Sequence, residues 1–362
     1  MNMEKIRDFM RRKDVKVSAK RYGIDALGAM AQGLFCTLLI GKILNTLGTQ
    51  FHIGLLTMKF GAQELTIGGF ASAMVGPAMA AAIGSALGAP PLVLFSLIPV
   101  GYATNMLGGA GGPLAVLVVA IVAAECGKLV SKETKIDILV TPTVTILAGV
   151  GLAALIAAPI GAAASALGQV IMWATTQQPF LMGILVSVLV GIALTLPISS
   201  AAICAALSLT GLAGGAAVAG CCAQMVGFAV MSFKENGVGG LVSQGIGTSM
   251  LQMPNIVKNP LIWIPPTLAS AITGPIATCI FHLTMNGAAV SSGMGTCGFV
   301  GQIGVYTGWL ADIEAGTRTA ITGFDWLGLA LVCFILPAVL STLFCEAERR
   351  MGLIGEDDLK LP

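Results

Sequence analysis

About ten apolar runs, separated by short polar segments, cover most of the 362-residue chain. Each run approaches the roughly 20 residues that an α-helix needs to cross a bilayer. The runs lie at about 28–48, 66–88, 91–108, 112–130, 138–160, 180–198, 215–233, 238–254, 261–284 and 325–345. The alternation of polar and apolar residues that marks an outer-membrane β-barrel is missing. The pattern therefore predicts an all-α, polytopic membrane protein with about ten transmembrane helices.

Two further stretches, 199–214 and 286–309, are moderately apolar but rich in glycine and serine. They are too broken for ordinary spans, and non-helical backbone at membrane depth must be surrounded by protein. We therefore predict that both stretches are re-entrant or interfacial segments.

A possible internal repeat is indicated by Lys135 and Lys258, each of which precedes a proline near the start of a span by seven residues. The offset of 123 residues between them also carries the run 91–108 onto 214–231 and 112–130 onto 235–253. Transporters are often built from such repeats, with the binding site at the repeat interface.

Composition and charge agree with a membrane location. Hydrophobic residues make up 56% of the chain and charged residues 10%, against about 25% charged in a soluble domain. Eight of the nineteen Lys and Arg residues lie between Lys5 and Arg21, and the positive-inside rule places this end in the cytoplasm. An even number of spans then makes both termini cytoplasmic. We predict a cytoplasmic amphipathic segment at 1–25, a transmembrane domain at 26–345 and a cytoplasmic tail at 346–362.

Several classes of chemistry are not indicated. The nine cysteines form neither a CxxC pair nor a cluster with histidine, so neither metal nor disulfide is predicted. No cofactor is expected, and no Ser-His-Asp arrangement suggests catalysis. No basic patch interleaved with aromatic residues indicates nucleic acid. Membrane lipid is the expected surrounding.

Polar residues within apolar sequence point to a solute site. In lipid each unsatisfied polar group costs several kcal/mol, so such residues must face protein or a water-filled cavity. Three stretches, 197–200, 235–259 and 282–302, combine helix breakers with groups that suit the hydroxyls of a sugar or polyol. The candidate substrate-binding residues are Ser199, Ser200, Glu235, Asn236, Gln252, Asn255, Asn259, His282, Asn286 and Gln302. Glu235 is expected to be the strongest single contact.

Other interpretations of these residues stay open. Glu235 and Asn236 could be ordinary turn residues before Gly237, and His282 could be a helix cap. Charged residues inside predicted spans, namely Lys42, Glu125 and Asp325, are functional candidates by default, although the long side chains could also extend to the membrane surface.

Four sequence blocks carry a family resemblance: TLPISSAAI, GLAGGAAVAGC, GTSMLQMPNIVKNP and GMGTCGFVGQ. They resemble membrane permeases of the phosphotransferase-system enzyme IIC-like family, and more narrowly its perfringolysin-regulator-like branch. The resemblance implies a permease-like domain in a bacterial plasma membrane. It also implies a homodimer, a sugar-like solute, and soluble phosphotransferase partner proteins.

Two functions are compatible with these features. The first is a transporter for a small polar solute, most simply a sugar. The alternative is a membrane sensor or regulator that binds a solute without transporting it. A carrier needs hinges between two access states, and the many Gly and Pro residues at span ends favour the transporter. The sequence does not decide whether transport is coupled to phosphorylation, and so whether the protein takes part in an enzymatic reaction.

Overall fold

A computed structural model describes residues 3–361, without the side chains of residues 3–6 and 50. Helix accounts for 79% of the chain, and the described part contains no β-strand, only two isolated bridges. The predicted all-α class is therefore confirmed. The chain divides into two compact units. Unit 1 comprises Met1–Gly41 and Thr57–Ala163, and unit 2 comprises Lys42–Leu56 and Ala164–Pro362.

Unit 1 contains most of the first seven helices. They are α1 (Met3–Arg12), α2 (Arg21–Thr49), α3 (Ile67–Ala73), α4 (Val75–Ala86), α5 (Pro91–Gly108), α6 (Gly112–Val130) and α7 (Asp137–Thr175). The ends of α2 and α7 belong to unit 2. Proline at the first or second position starts α5 and α6, where its missing N–H would have no helical partner anyway. Within 1–25, the first helix ends at Arg12, and a short non-helical stretch separates it from α2.

The number of spans differs from the expected ten. Within residues 3–361, six helical stretches are long and apolar enough to cross a membrane, or seven if the bent pair of α3 and α4 counts as one. One of the six, Pro91–Val130, reverses direction at Gly109, whose φ is 50°. The two helices on either side lie antiparallel. The end of the second packs on the start of the first, since a Cβ on Gly127 would lie 2.8 Å from Val93 Cγ1. The count of ten is therefore not confirmed.

Unit 2 is built around one buried helix. Its helices are α8 (Pro179–Thr195), α9 (Ser200–Ala206), α10 (Gly211–Met231), α11 (Phe233–Val242), α12 (Met253–Lys258), α13 (Ile264–Pro275), α14 (Val300–Glu314), α15 (Gly323–Ala330) and α16 (Leu336–Arg350). In the most apolar 18 residues of the central helix, α10, 94% of the residues are buried. This helix contacts α8, α13 and α16. It is rich in Gly and Ala, and such small residues let helix backbones approach closely.

One run that was predicted as a membrane span proves to be broken. Residues 238–254 do not form one span. They divide into the end of α11, a π-helical turn at Ser243–Gly247 and a 3-10 turn at Ser249–Gln252. The corresponding stretch of the possible repeat, 112–130, is one continuous helix, so the two stretches do not share a backbone conformation.

The predicted irregular segments are indeed irregular. Residues 199–214 contain only the short α9 before α10 begins. Residues 286–309 begin with 3-10 turns at Ala289–Gly293 and Cys297–Phe299, and only then enter α14. We refer to residues 285–299 as the irregular loop. Because its backbone lacks a helical hydrogen-bond ladder, the polar groups of this loop must find partners on neighbouring helices.

Candidate functional site

The irregular loop packs along the middle of α10. Gly295 comes so near that a Cβ on it would lie 2.7 Å from Cys221 Cβ, and its φ of 53° also favours glycine. Ser292 Oγ donates a hydrogen bond of 2.6 Å to Leu209 O, and Thr296 Oγ1 lies 3.5 Å from Met225 Sδ. The loop is thereby held against the most buried helix of unit 2.

The break before α9 contacts the same loop. Ser200 Oγ donates a hydrogen bond of 2.8 Å to Gly293 O, and Ser199 caps α9 by accepting from Ala202 N. Ser200 is buried, whereas Ser199 is half-buried. Two of the three predicted stretches, 197–200 and 282–302, therefore meet in the structure.

Gln302 has an unpaired acceptor. Its Nε2 donates to Cys222 Sγ at 3.1 Å, but its carbonyl oxygen, Oε1, is buried and has no donor among the described residues. A buried acceptor without a partner costs about 1–3 kcal/mol.

Lys42 lies near this loop. The next residue, Ile43, packs against Gly298, and the charge of Lys42 acts on the Cys297 thiol. Among the described side chains no ion pair involves Lys42, so its ammonium group is a cation near the loop without a carboxylate partner.

A polar network centred on Gln224 was not predicted from the sequence. This fully buried residue of α10 accepts hydrogen bonds from Trp263 Nε1 at 2.9 Å and Thr195 Oγ1 at 3.2 Å. Its Nε2 donates to Thr267 Oγ1, and Thr195 is also bonded to Ser249 Oγ at 2.8 Å. The signal was present, because Gln224 is the only carboxamide in the apolar run 215–233.

Four predicted carboxamides bind the segment 353–361, which we call the tail segment. Asn236, Gln252 and Asn255 donate to the carbonyl oxygens of Leu359 or Lys360 at 2.8–2.9 Å. Asn259 donates to Leu353 O at 2.9 Å and to Asp358. These four groups therefore lie together, and their partner in this structure is polypeptide.

The remaining predicted residues lie at the two ends of α10. Glu235, whose side chain is 6% exposed, forms an ion pair with Arg349 beside the tail segment. At the other end Asn286 donates to Asp312 and accepts from Gly211 N, and His282 is exposed. The 21 residues of α10 span about 30 Å at about 1.5 Å per residue, so the ten candidates do not line one small pocket.

The other intramembrane charges have partners. Asp325 forms an ion pair with Arg318 and caps α15 together with Thr322. In unit 1, Glu125 accepts a hydrogen bond of 3.1 Å from Tyr22 and forms an ion pair of 2.9 Å with Lys128. Neither carboxylate is free to bind a solute in this conformation.

A second polar cluster surrounds Lys128 in unit 1. Its ammonium donates to Asp14 O at 2.8 Å and to Leu87 O at 3.0 Å. The Arg21 guanidinium beside Asp14 holds the pKa of that carboxyl well below its usual range. An adjacent cavity of about 440 Å³ is lined by Arg12, Lys13, Asp14, Gly88, Pro90, Lys128, Ser131, Lys132 and Glu133. Because Lys128 is saturated by protein groups, this cluster has a structural character.

These features define a polytopic helical membrane protein in which irregular backbone and buried carboxamides lie beside one central helix. Broken helices of this kind at membrane depth are typical of transporters. The family model "Phosphotransferase system, EIIC" matches residues 24–361, and the chain belongs to this family. Membership supports the role of a sugar-specific membrane permease. No curated protein and no solved structure matched the chain.

Proposed function

We propose that the protein transports a sugar or sugar-like solute across the bacterial plasma membrane, and that the solute binds beside the middle of α10 at the irregular loop. The observation that carries the proposal is the buried, unpaired carbonyl oxygen of Gln302 next to this loop. Ser200 would border the same site, and Lys42 would offer a donor to a hydroxyl oxygen. A sugar hydroxyl is a donor as well as an acceptor and so suits both groups.

The other predicted residues take different places in this proposal. The carboxamides at Asn236, Gln252, Asn255 and Asn259 would reach a solute only after the tail segment leaves. Glu235 would hold the end of α16 in place through its ion pair with Arg349. Ser199 would fix the start of α9 through its hydrogen bond from Ala202 N. His282 and Asn286 would border the opposite end of α10 and meet the solute on entry or exit.

The proposal extends to assembly. We infer a homodimer, as the family resemblance implies, and soluble phosphotransferase partners that would couple uptake to phosphorylation. The sensor that binds without transporting is the alternative. It would bind the same solute at the same site, and only a flux measurement separates the two.

Uptake into vesicles tests the function directly. Purified protein would be reconstituted and offered a panel of radiolabelled hexoses, hexitols and disaccharides, with and without a phosphoryl-donor system. We expect accumulation of at least one of these sugars above protein-free vesicles. Saturable binding without any accumulation in either condition would support the sensor instead.

Gln302→Met should separate solute binding from stability. We expect affinity for the transported sugar to fall about tenfold, since one hydrogen bond contributes about 0.5–1.5 kcal/mol. Stability should be unchanged or slightly higher, because the variant removes an unpaired buried acceptor. The measurements are calorimetric titration and thermal unfolding in detergent.

Gln224→Met is the matched control. Gln224 uses both ends of its carboxamide in hydrogen bonds, so its replacement should lower thermal stability. If Gln302→Met instead destabilised the protein as much as Gln224→Met and left sugar affinity unchanged, Gln302 would have a structural role and the site would be misplaced.

Orientation can be measured independently of transport. We expect both termini to be cytoplasmic, because the basic residues between Lys5 and Arg21 then lie inside. A single cysteine placed at residue 2 or 362 should react with a membrane-impermeant maleimide only after the cells are opened. The native cysteines, of which Cys36 and Cys279 are exposed, give a background that the unaltered protein measures. Labelling of intact cells at either position would refute this orientation.

A further inference from the structure

We propose that the tail segment is a reversible plug, which fills a carboxamide-lined cleft in unit 2 and must leave before those carboxamides can bind another partner. The inference rests on the proposed function only for its consequence, which is that a hydroxylated solute competes for the same donors. The occupancy and release of the cleft can be tested without any sugar.

The cleft recognises polypeptide backbone. Asn236 Nδ2 donates to Leu359 O, while its Oδ1 accepts from Leu361 N, both at 2.8 Å. The Asn236 side chain thus pairs with the backbone of the tail segment as a neighbouring β-strand would. Gln252 also donates to Leu359 O, and Asn255 donates to Lys360 O. None of these contacts depends on which side chain the tail carries at Lys360 or Leu361.

Two apolar side chains anchor the segment. Leu359 is completely buried and Ile354 is 4% exposed, whereas the acidic side chains between them are mostly outside. Backbone hydrogen bonds for affinity and pockets for alternate side chains for selectivity are the usual elements of peptide recognition by strand addition. The tail segment therefore occupies the cleft as a bound peptide would.

The polar groups that line the cleft are hydrogen-bonded to one another as well as to the tail segment. Gln252 Nε2 donates to Gln244 Oε1 as well as to the tail, and Asn255 donates to Gln252 Oε1. Gln244 in turn donates to Ser232 Oγ. Removing the tail frees several neutral donors at once, and neutral carboxamides are the groups that bind sugar hydroxyls.

The chain can release the tail without unfolding a helix. The last helix, α16, ends at Arg350, and Gly352 follows with a φ of 72°. Gly352 and Gly355 provide flexible backbone between that helix and Leu359. The ion pair between Glu235 and Arg349 keeps the end of α16 beside the cleft, so the released segment stays at a high local concentration.

A peptide-capture experiment tests the plug with the full chain in nanodiscs. The probe is a fluorescein-labelled peptide with the sequence of residues 353–361. Leu359→Asp removes the apolar anchor, so this variant should bind the peptide. The unaltered protein should bind it at least tenfold more weakly, because its own tail competes at an effective concentration of about millimolar.

Lys360→Ala is the matched control. Its side chain is exposed and only its carbonyl oxygen contacts the cleft, so this variant should behave like the unaltered protein. A folded Leu359→Asp variant that captured no more peptide than the control would overturn the proposal.

Hydrogen exchange in the unaltered protein gives a second test that does not depend on the variant folding. The plug predicts that the amide of Leu361 exchanges through local opening, much faster than the amides of α10 and with little dependence on denaturant. If the amide hydrogen of Leu361 exchanged only when the core of unit 2 unfolds, the proposed plug would be overturned. Sugar uptake is judged separately, because a failure of transport leaves both readouts of the tail unaffected.

Discussion

Gly220→Ala should strongly destabilise unit 2, because this glycine of the central helix α10 lies against the backbone of α8. A Cβ at Gly220 would lie 1.8 Å from Ser187 O and 2.5 Å from Ser187 C. Both are backbone atoms of α8, so no side chain can rotate away and the two helices must separate. Overpacking typically costs about 1–3 kcal/mol and sometimes more. We expect at least the upper part of that range, despite the higher helix propensity of alanine.

The effect should appear as a lower midpoint of thermal unfolding in detergent. Gly239→Ala provides the matched control, because Gly239 is an exposed helical residue with nothing within 4 Å of a Cβ. Alanine there should be neutral or stabilising by up to about 1 kcal/mol. Equal midpoints for Gly220→Ala and the unaltered protein would mean that α8 and α10 are not in close contact in the membrane.

The sequence predicted the class of the fold because that class depends on local composition. Apolar runs of helical length and the excess of small residues are visible without tertiary information. Breaks at 199–214 and at the start of 286–309 were also predictable, since their Gly and Ser residues act through the local backbone. The expected number of spans was not confirmed. Hydropathy alone cannot distinguish a broken apolar segment such as 238–254 from a continuous helix that crosses the membrane.

The candidate site was predicted only in part. The polar character of 252–259 was evident, but the partner of its carboxamides lies about 100 residues further along the chain. No local pattern indicates such a contact. Glu235 was singled out from the sequence as a solute contact, but its ion pair with Arg349 was not predicted, because that pair depends on where α16 ends relative to α10. Pairing between distant residues is set by tertiary packing and needs a structure.

The burial of Lys128 is another such case, because the positive-inside rule alone would treat it as a solvated residue. Instead its side chain is 2% exposed, and its ammonium contacts Glu125, Asp14 O and Leu87 O. These three acceptors come from separate parts of unit 1. The ammonium group therefore joins the segment after α1, the end of α4 and the helix α6.

Lys128→Met should accordingly destabilise unit 1 strongly. The variant leaves the Glu125 carboxylate, whose side chain is 12% exposed, without its cation. It also removes one of the two donors to Asp14 O and to Leu87 O, which keep their hydrogen bonds from Arg21. Breaking a buried ion pair from one side costs about 3–5 kcal/mol. Methionine keeps most of the apolar volume, so the loss should reflect the missing charge and hydrogen bonds. Thermal unfolding and the yield of folded, monodisperse protein would measure it.

Two further variants make this prediction specific. Lys132→Met replaces an exposed side chain a few residues away, and should change the unfolding midpoint little, as surface substitutions usually do. Adding Glu125→Gln to Lys128→Met removes the uncompensated charge, and should recover part of the lost stability, because a neutral carboxamide costs less to bury than a lone carboxylate. Tyr22 can still donate to the new carbonyl oxygen. If the double variant were less stable than Lys128→Met alone, the unpaired charge of Glu125 would not be the source of the loss.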